Sequence, residues 1–189
     1  MKHLTYILLL ALVTLSCEGT TFIPKPPTYL RLELPNHTYE KYTSNCEYHF
    51  EIPEIYTVQD APMEDGYNCH KRIHLGPLNA TLFFRYWKMD QPLAFYVNNA
   101  NDEVERHTLK ADNILDERII RPKENVYGTF FELQGNVATP FQFYLTDSTE
   151  RFVYCEVLFN STPNYDSLKP SLDYLKVDLK KLAASFEWK

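Results

Sequence analysis

Glycine is scarce in this chain, five in 189 residues. Phosphate-cradling loops and nucleophile elbows need glycine wherever the backbone turns sharply or approaches a ligand closely. No G-x-S-x-G, no glycine-rich phosphate loop and no H-E-x-x-H pair occurs. Positive charge is also short: 19 Lys and Arg stand against 25 Asp and Glu, a formal net charge of −6. Nucleic acid wants a basic face, and a polybasic hold on anionic lipid wants a basic cluster, so neither partner is expected. Beyond Cys17 there is no apolar run of the roughly 20 residues that a membrane-spanning helix requires. Aromatic residues, in contrast, make up 15% of the chain. That composition belongs to a chain that fills a core, not to a disordered one.

The N-terminus reads as an export signal. Lys2 and His3 precede a nearly unbroken apolar run from Leu4 to Leu15, the length of a signal-peptide core and too short for a membrane span. Small Ser16 is followed by Cys17, which suits a bacterial lipoprotein: residues 1–16 are expected to be removed, leaving a lipid-bearing Cys17. Two acyl chains, at about 0.8 kcal/mol per buried methylene, suffice for stable anchoring. An ordinary secretory signal with a coincidental cysteine is the competing reading, and Thr14 stands where lipoprotein signals usually carry Leu. Residues 17–29 then form a tether in which Pro24, Pro26 and Pro27 favour extended polyproline conformation. A tail lying along the domain surface is the alternative. Residues 30–189 are expected to form a single α+β domain.

Within that domain, half-buried strands are expected at Tyr48 to Ile52, Arg72 to Leu75, Ala80 to Trp87, Val126 to Gln134, Phe141 to Thr146 and Phe152 to Phe159. The last carries apolar residues on both faces, as a central strand does. Leu93, Tyr96, Val97, Ala100 and Val104 form one helical stripe, with Asp90 as its expected cap. Leu168, Leu172, Leu175, Leu179, Leu182 and Phe186 form a second, capped by Asp166 or Ser167. Gly135-Asn136 and Asp147-Ser148 mark hairpins between apolar runs. An antiparallel sheet with helices packed against it follows.

Four cysteines divide three ways. Cys17 is the anchor. Cys46 and Cys69, both in polar contexts, are expected to form a disulfide in an oxidising envelope, worth about 3 kcal/mol in the chain-entropy view. Cys155 sits in an apolar strand and reads as a small buried hydrophobe. Catalytic constellations are weak. Ser148, Asp147 and His107 can be drawn as a triad, but Asp-Ser in a hairpin is mainly a turn former. His70 and His74 beside Cys69 can be drawn as a metal site, but their spacing on a strand separates them and no fourth ligand is evident. No cofactor, no metal and no enzymatic activity are expected. Sequons at Asn36, Asn79 and Asn160 matter only in a eukaryotic secretory route.

A family resemblance adds what pattern alone does not. Pro24-Lys25-Pro26-Pro27-x-Tyr29-Leu30-Arg31, Cys46-x-Tyr48-x-Phe50 and His107-x-x-Lys110-Ala111 occur in order. Val126-Tyr127-Gly128, Gly135-Asn136, Thr146-Asp147-Ser148, Phe152 and Pro163-Asn164-Tyr165-Asp166-Ser167 follow them. In these the chain resembles the gliding-motility lipoproteins D (GldD) of the Bacteroidota, over almost its whole mature length. Cys155 departs from the family's usual glycine, and Arg151 from its frequent histidine. The strand and helix order also looks like the Mog1/PsbP-like sandwich. The resemblance implies a lipid-anchored, periplasm-facing envelope protein needed for gliding and the linked type IX secretion, with partners in that apparatus. Three function classes compete. A non-enzymatic accessory or scaffold leads, with Pro163, Asn164 and Tyr165 as its candidate partner surface. A periplasmic binding module for a peptide, lipid or glycan comes next, and would be favoured by an apolar pocket between sheet and helix. An enzyme is third, and would need convergent polar groups with perturbed pKa values.

Overall fold

The structure, a computed structural model, describes residues 33–61, 69–162 and 164–189. The expected signal, Cys17, the proline-rich tether and Pro163 lie outside the described residues. In chain order the elements are β1 (Tyr39–Thr43), β2 (Tyr48–Pro53), β3 (Thr57–Asp60), β4 (Lys71–His74) and β5 (Ala80–Lys88). Helix α1 (Leu93–Glu105), β6 (Ala111–Arg121), β7 (Val126–Gly135) and β8 (Phe141–Thr146) come next, then β9 (Arg151–Phe159), helix α2 (Tyr165–Ser185) and β10 (Glu187–Trp188).

Seven strands pair in the order β3-β4-β5-β9-β8-β7-β6, all antiparallel, and β1-β2-β10 form a second, three-stranded sheet. The doubly apolar β9 lies at the centre of the large sheet, as its two buried faces require. One face of that sheet is the main core. There the register lines up Phe84, Cys155, Phe143 and Phe130 across four strands, and each is at most 4% exposed. Helix α2 and strand β2 close over this row: Leu175, Leu179 and Leu182 pack against it together with Tyr48 and Phe50. Each such side chain contributes roughly 1.5–3 kcal/mol by leaving water.

Helix starts differ from their expected caps. Asn164, not Asp166 or Ser167, caps α2 by accepting from the Ser167 backbone N–H at 3.2 Å. Asn164 can do so because it is extended, the geometry an N-cap needs. Asp90 does not cap α1. Its carboxylate instead accepts from the Tyr96 hydroxyl at 2.7 Å, and Pro92 precedes the first turn. Phe186 leaves the helix in extended conformation yet stays fully buried.

Four strands were not expected: β1, β3, β6 and β10. Strand β6 is the longest, but it is the sheet's edge, and its apolar residues fall in adjacent pairs, Ile114-Leu115 and Ile119-Ile120, so no alternation appears. The hairpin at Gly135-Asn136 is a five-residue connection opened by Gly135 at φ 118°. Gly128 is required by close approach: a Cβ there would overlap the Tyr144 carbonyl.

One acid lies on the buried side of α2. Asp178 is 1% exposed and accepts from Tyr39 Oη at 2.9 Å and Tyr56 Oη at 2.6 Å, with His37 Nδ1 also at 2.6 Å. The His37 ring stacks on Tyr174 at 4.1 Å. Burial, reinforced by the Asp178 carboxylate, pushes the Tyr56 phenol well above its usual range, so it remains a donor at neutral pH. The segment that leads into β1 is thereby fastened to the middle of α2.

Candidate functional site

The second face of the large sheet is only partly covered. The register that builds the phenylalanine row places Arg85, Tyr154, Tyr144 and Thr129 on this side, and beside them Trp87, Phe152, Thr146 and Tyr127. Helix α1 lies over this face, burying Tyr96 and Ala100 against Phe152 and Tyr154. It is narrower than the sheet, so a flank stays open on each side. Toward β7 and β6 is a groove of about 450 Å³ lined by Leu93, Val97, Arg118, Ile120 and Tyr144 among others. Toward β5 and β9 is a cleft of about 400 Å³. Helix α1 walls it with Phe95, Tyr96, Asn99 and Glu103; the sheet floors it with Arg85, Trp87, Tyr154 and Glu156.

The floor is held in place. Arg85 Nη2 donates to Glu156 Oε1 at 2.7 Å, and its guanidinium lies 5.7 Å from the Phe83 ring centre and 5.9 Å from that of Tyr154. Such contacts fix a guanidinium without consuming its remaining donors. Tyr154 Oη donates to Gln142 Oε1 at 2.7 Å, and Gln142 Nε2 donates to Thr139 Oγ1 at 3.0 Å. Thr139 Oγ1 in turn lies 2.8 Å from His107 Nε2. This chain runs from the cleft floor to the far end of α1. Burial, with the neighbouring Glu156 carboxylate, raises the Tyr154 pKa far above its ordinary value, so the phenol serves as a donor at neutral pH.

The residues singled out from sequence are placed as follows. Cys46 and Cys69 are joined by a disulfide, with Cα atoms 5.7 Å apart. Cys155 is a free, fully buried thiol whose pKa burial pushes well above the usual range. The drawn triad does not assemble. His107 is engaged with Thr139, and Asp147 Oδ1 accepts from the backbone N–H groups of Thr149, Glu150 and Arg151 at 2.9–3.0 Å. Asp147 Oδ2 takes Arg151 Nε at 2.7 Å. Burial alone would raise the Asp147 pKa; these donors outweigh it and bring it to about 2. His70 and His74 are separated by partner as well: His70 Nδ1 accepts from the Tyr86 backbone N–H at 3.1 Å, while half-buried His74 meets Gln59 at 3.2 Å. Among the described residues no cluster of His, Cys, Asp or Glu is arranged to hold a metal ion.

Asn164 and Tyr165 form the approach to α2. Asn164 is exposed; Tyr165 is half-buried against the core, and its backbone N–H donates to Asn136 Oδ1 at 2.9 Å. The cleft residues were not singled out from sequence. Their signal was nonetheless present in β5, where Phe83, Arg85 and Trp87 alternate with buried Leu82, Phe84 and Tyr86. A strand whose second face carries Arg between two aromatics is displaying that face.

Among solved structures, the fold is similar to that of cyanobacterial PsbP (CyanoP) from Synechocystis, determined in solution. The match has a TM-score of 0.50 and 13% sequence identity, and covers 87% of this chain and 100% of that one. At that identity the likeness concerns the fold alone. No curated protein matches the sequence. Among the described residues no helix is long and apolar enough to cross a membrane. The model of the gliding motility lipoprotein GldD family matches residues 19–188, nearly the entire chain, and this protein therefore belongs to that family.

Proposed function

We propose that this lipoprotein is a non-enzymatic accessory of the gliding and type IX secretion machinery, anchored in the envelope by fatty acyl groups such as palmitate on Cys17. It faces the periplasm and acts by holding envelope components together. Family membership supports the setting. The observation that carries the mode of action is the partly covered face of the large sheet, where a rigid floor displays Arg85, Trp87 and Tyr154 beside an exposed Phe95. Rigid scaffolds that present aromatic and arginine side chains on an open face are suited to recognition. The approach to α2 at Pro163, Asn164 and Tyr165 is a second, smaller contact surface in this reading.

The test compares deletion with anchored, folded variants. Deletion is expected to impair type IX export, and gliding where the bacterium glides; normal export after deletion would sink the proposal. Replacing Cys17 by Ser should abolish lipid labelling and release the protein or leave its signal uncleaved. Tyr165→Ala, if fully active, removes only the second surface. A second reading, a periplasmic binding module for a peptide, lipid or glycan, is favoured by the cleft between α1 and the sheet. Co-purification from native membranes separates the two, since a scaffold brings protein partners with it.

A further inference from the structure

We infer that the cleft between α1 and strands β5 and β9 is a saccharide-binding site. The inference rests on the reading that this face of the sheet is the recognition face. The lining combines two kinds of group. Trp87, Phe95 and Tyr154 offer aromatic surface, and Arg85, Glu156 and Asn99 offer planar polar groups within the same cavity of about 400 Å³. A pyranose has the matching duality. Its axial C–H face lies against aromatic rings, and its neighbouring hydroxyl pairs suit the two-pronged hydrogen bonding of guanidinium, carboxylate and amide. The volume falls within the range of small-ligand sites, about 300–1,000 Å³.

Other ligand classes fit less well. An anion would meet one guanidinium, Arg85, already 2.7 Å from Glu156, and the two carboxylates of Glu156 and Glu103. An extended peptide binds by adding a strand at a sheet edge, but along the cleft floor β5 pairs with β9, and on its other side, where the ladder with β4 ends at Phe84, the Tyr86 N–H already donates to His70 Nδ1. An acyl chain would strip water from Arg85, Glu156, Asn99 and Glu103 and return no hydrogen bonds. A neutral ligand rich in hydroxyls and bearing apolar faces is what remains.

The site is also prepared in advance. Arg85 is held over the Phe83 and Tyr154 rings, Tyr154 is fastened to Gln142, and Tyr96 to Asp90. Rotamers fixed before binding lower its entropic cost.

The chain has two tryptophans, and the second, Trp188, packs edge-on against Phe186 in the main core. Trp188→Phe therefore leaves Trp87 as the sole indole reporter. The full-length lipoprotein carrying this change, held in a detergent without sugar headgroups, is titrated with chitotriose, maltotriose and mannotriose. Tri-alanine, inorganic phosphate and phosphatidylglycerol vesicles are the comparison ligands. The expected result is a saturable Trp87 fluorescence change with at least one trisaccharide at millimolar or lower concentration. Glu156→Gln and Phe95→Ala, added singly, should each weaken it about tenfold. Preference for chitotriose points to amino-sugar chains such as those of the cell wall; preference for a hexose trimer points to surface glycans. The inference is overturned by no saturable change with any trisaccharide up to about 10 mM, by stronger binding of a comparison ligand, or by equal binding in both variants. The proposed function fails separately. If the two variants impair type IX export but no sugar binds, the cleft serves a protein partner and only the saccharide assignment falls. If deletion leaves export normal, the proposed function falls whatever sugar binds.

Discussion

The two faces of the large sheet are built from alternate residues of the same strands, yet they behave as different materials. Phe84, Cys155, Phe143 and Phe130 face α2 and are shut away from water. One residue along each strand, Arg85, Tyr154, Tyr144 and Thr129 face α1, and most of them keep some exposure. On the first face the packing is continuous, because α2 and the small sheet together cover it. On the second, a single thirteen-residue helix covers a seven-stranded sheet and leaves open flanks. Arg85 on that side is tied to Glu156 and to two rings, and Tyr154 to Gln142. The difference teaches that stability and recognition are separated by parity here: an even or odd position on β5 decides which task a side chain serves.

The contrast can be broken or sharpened by substitution. Phe143→Ala should cost about 3–5 kcal/mol, and Leu175→Ala or Leu179→Ala about 2–5 kcal/mol, measured by denaturant unfolding. Asp178→Ala should come next, at about 2–4 kcal/mol, because it leaves the buried Tyr56 hydroxyl without its acceptor. Asp178→Asn should recover part of that loss by restoring an oxygen. Asp147→Ala should cost about 2 kcal/mol at neutral pH by opening the β8–β9 turn. The Asp147 pKa is lowered in the fold from 3.8 to about 2, so its stabilisation is fully present above the unfolded value and fades as pH falls. The gap between wild type and variant should therefore close between about pH 4 and 2; a gap unchanged over that interval would mean that the carboxylate charge is irrelevant. The smallest effect is expected from Phe95→Ala. This residue is 51% exposed, so its loss should move stability by no more than about 0.5 kcal/mol. If Phe95→Ala destabilised as much as Phe143→Ala, the two faces would not differ as described.

The fold was legible in the sequence where periodicity and burial agree. The alternation of β5, β8 and β9 and the leucine stripe of α2 reveal themselves because each has a strongly apolar side. Strand β6 does not, since an edge strand needs no buried face and its charges, Asp116, Glu117 and Arg118, guard an open edge. Caps were misplaced for a local reason. Several capping residues, Asn164, Asp166 and Ser167, stand within one turn, and only backbone geometry selects among them. The cleft was the least legible part. Its residues come from α1, β5 and β9, and only the pairing of β5 with β9 brings Arg85 and Glu156 into contact. Asp178 was hidden differently: an acid within a leucine stripe looks like a surface position until His37, Tyr39 and Tyr56 are seen to converge on it.

That convergence has a mechanical side. Under the proposed anchorage at Cys17, any pull from the membrane would enter the domain from its N-terminal side. Tension of that kind would meet the grip of His37 and Tyr39 on Asp178 at the very start of β1, and that grip passes part of it sideways into α2. Should β1 peel from β2, the Cys46–Cys69 bridge still ties the start of β2 to the segment just ahead of β4 in the large sheet. The domain thus meets traction with a hydrogen-bonded clasp in front of a covalent stop, an order in which a passing tug can loosen the strap and let it refasten.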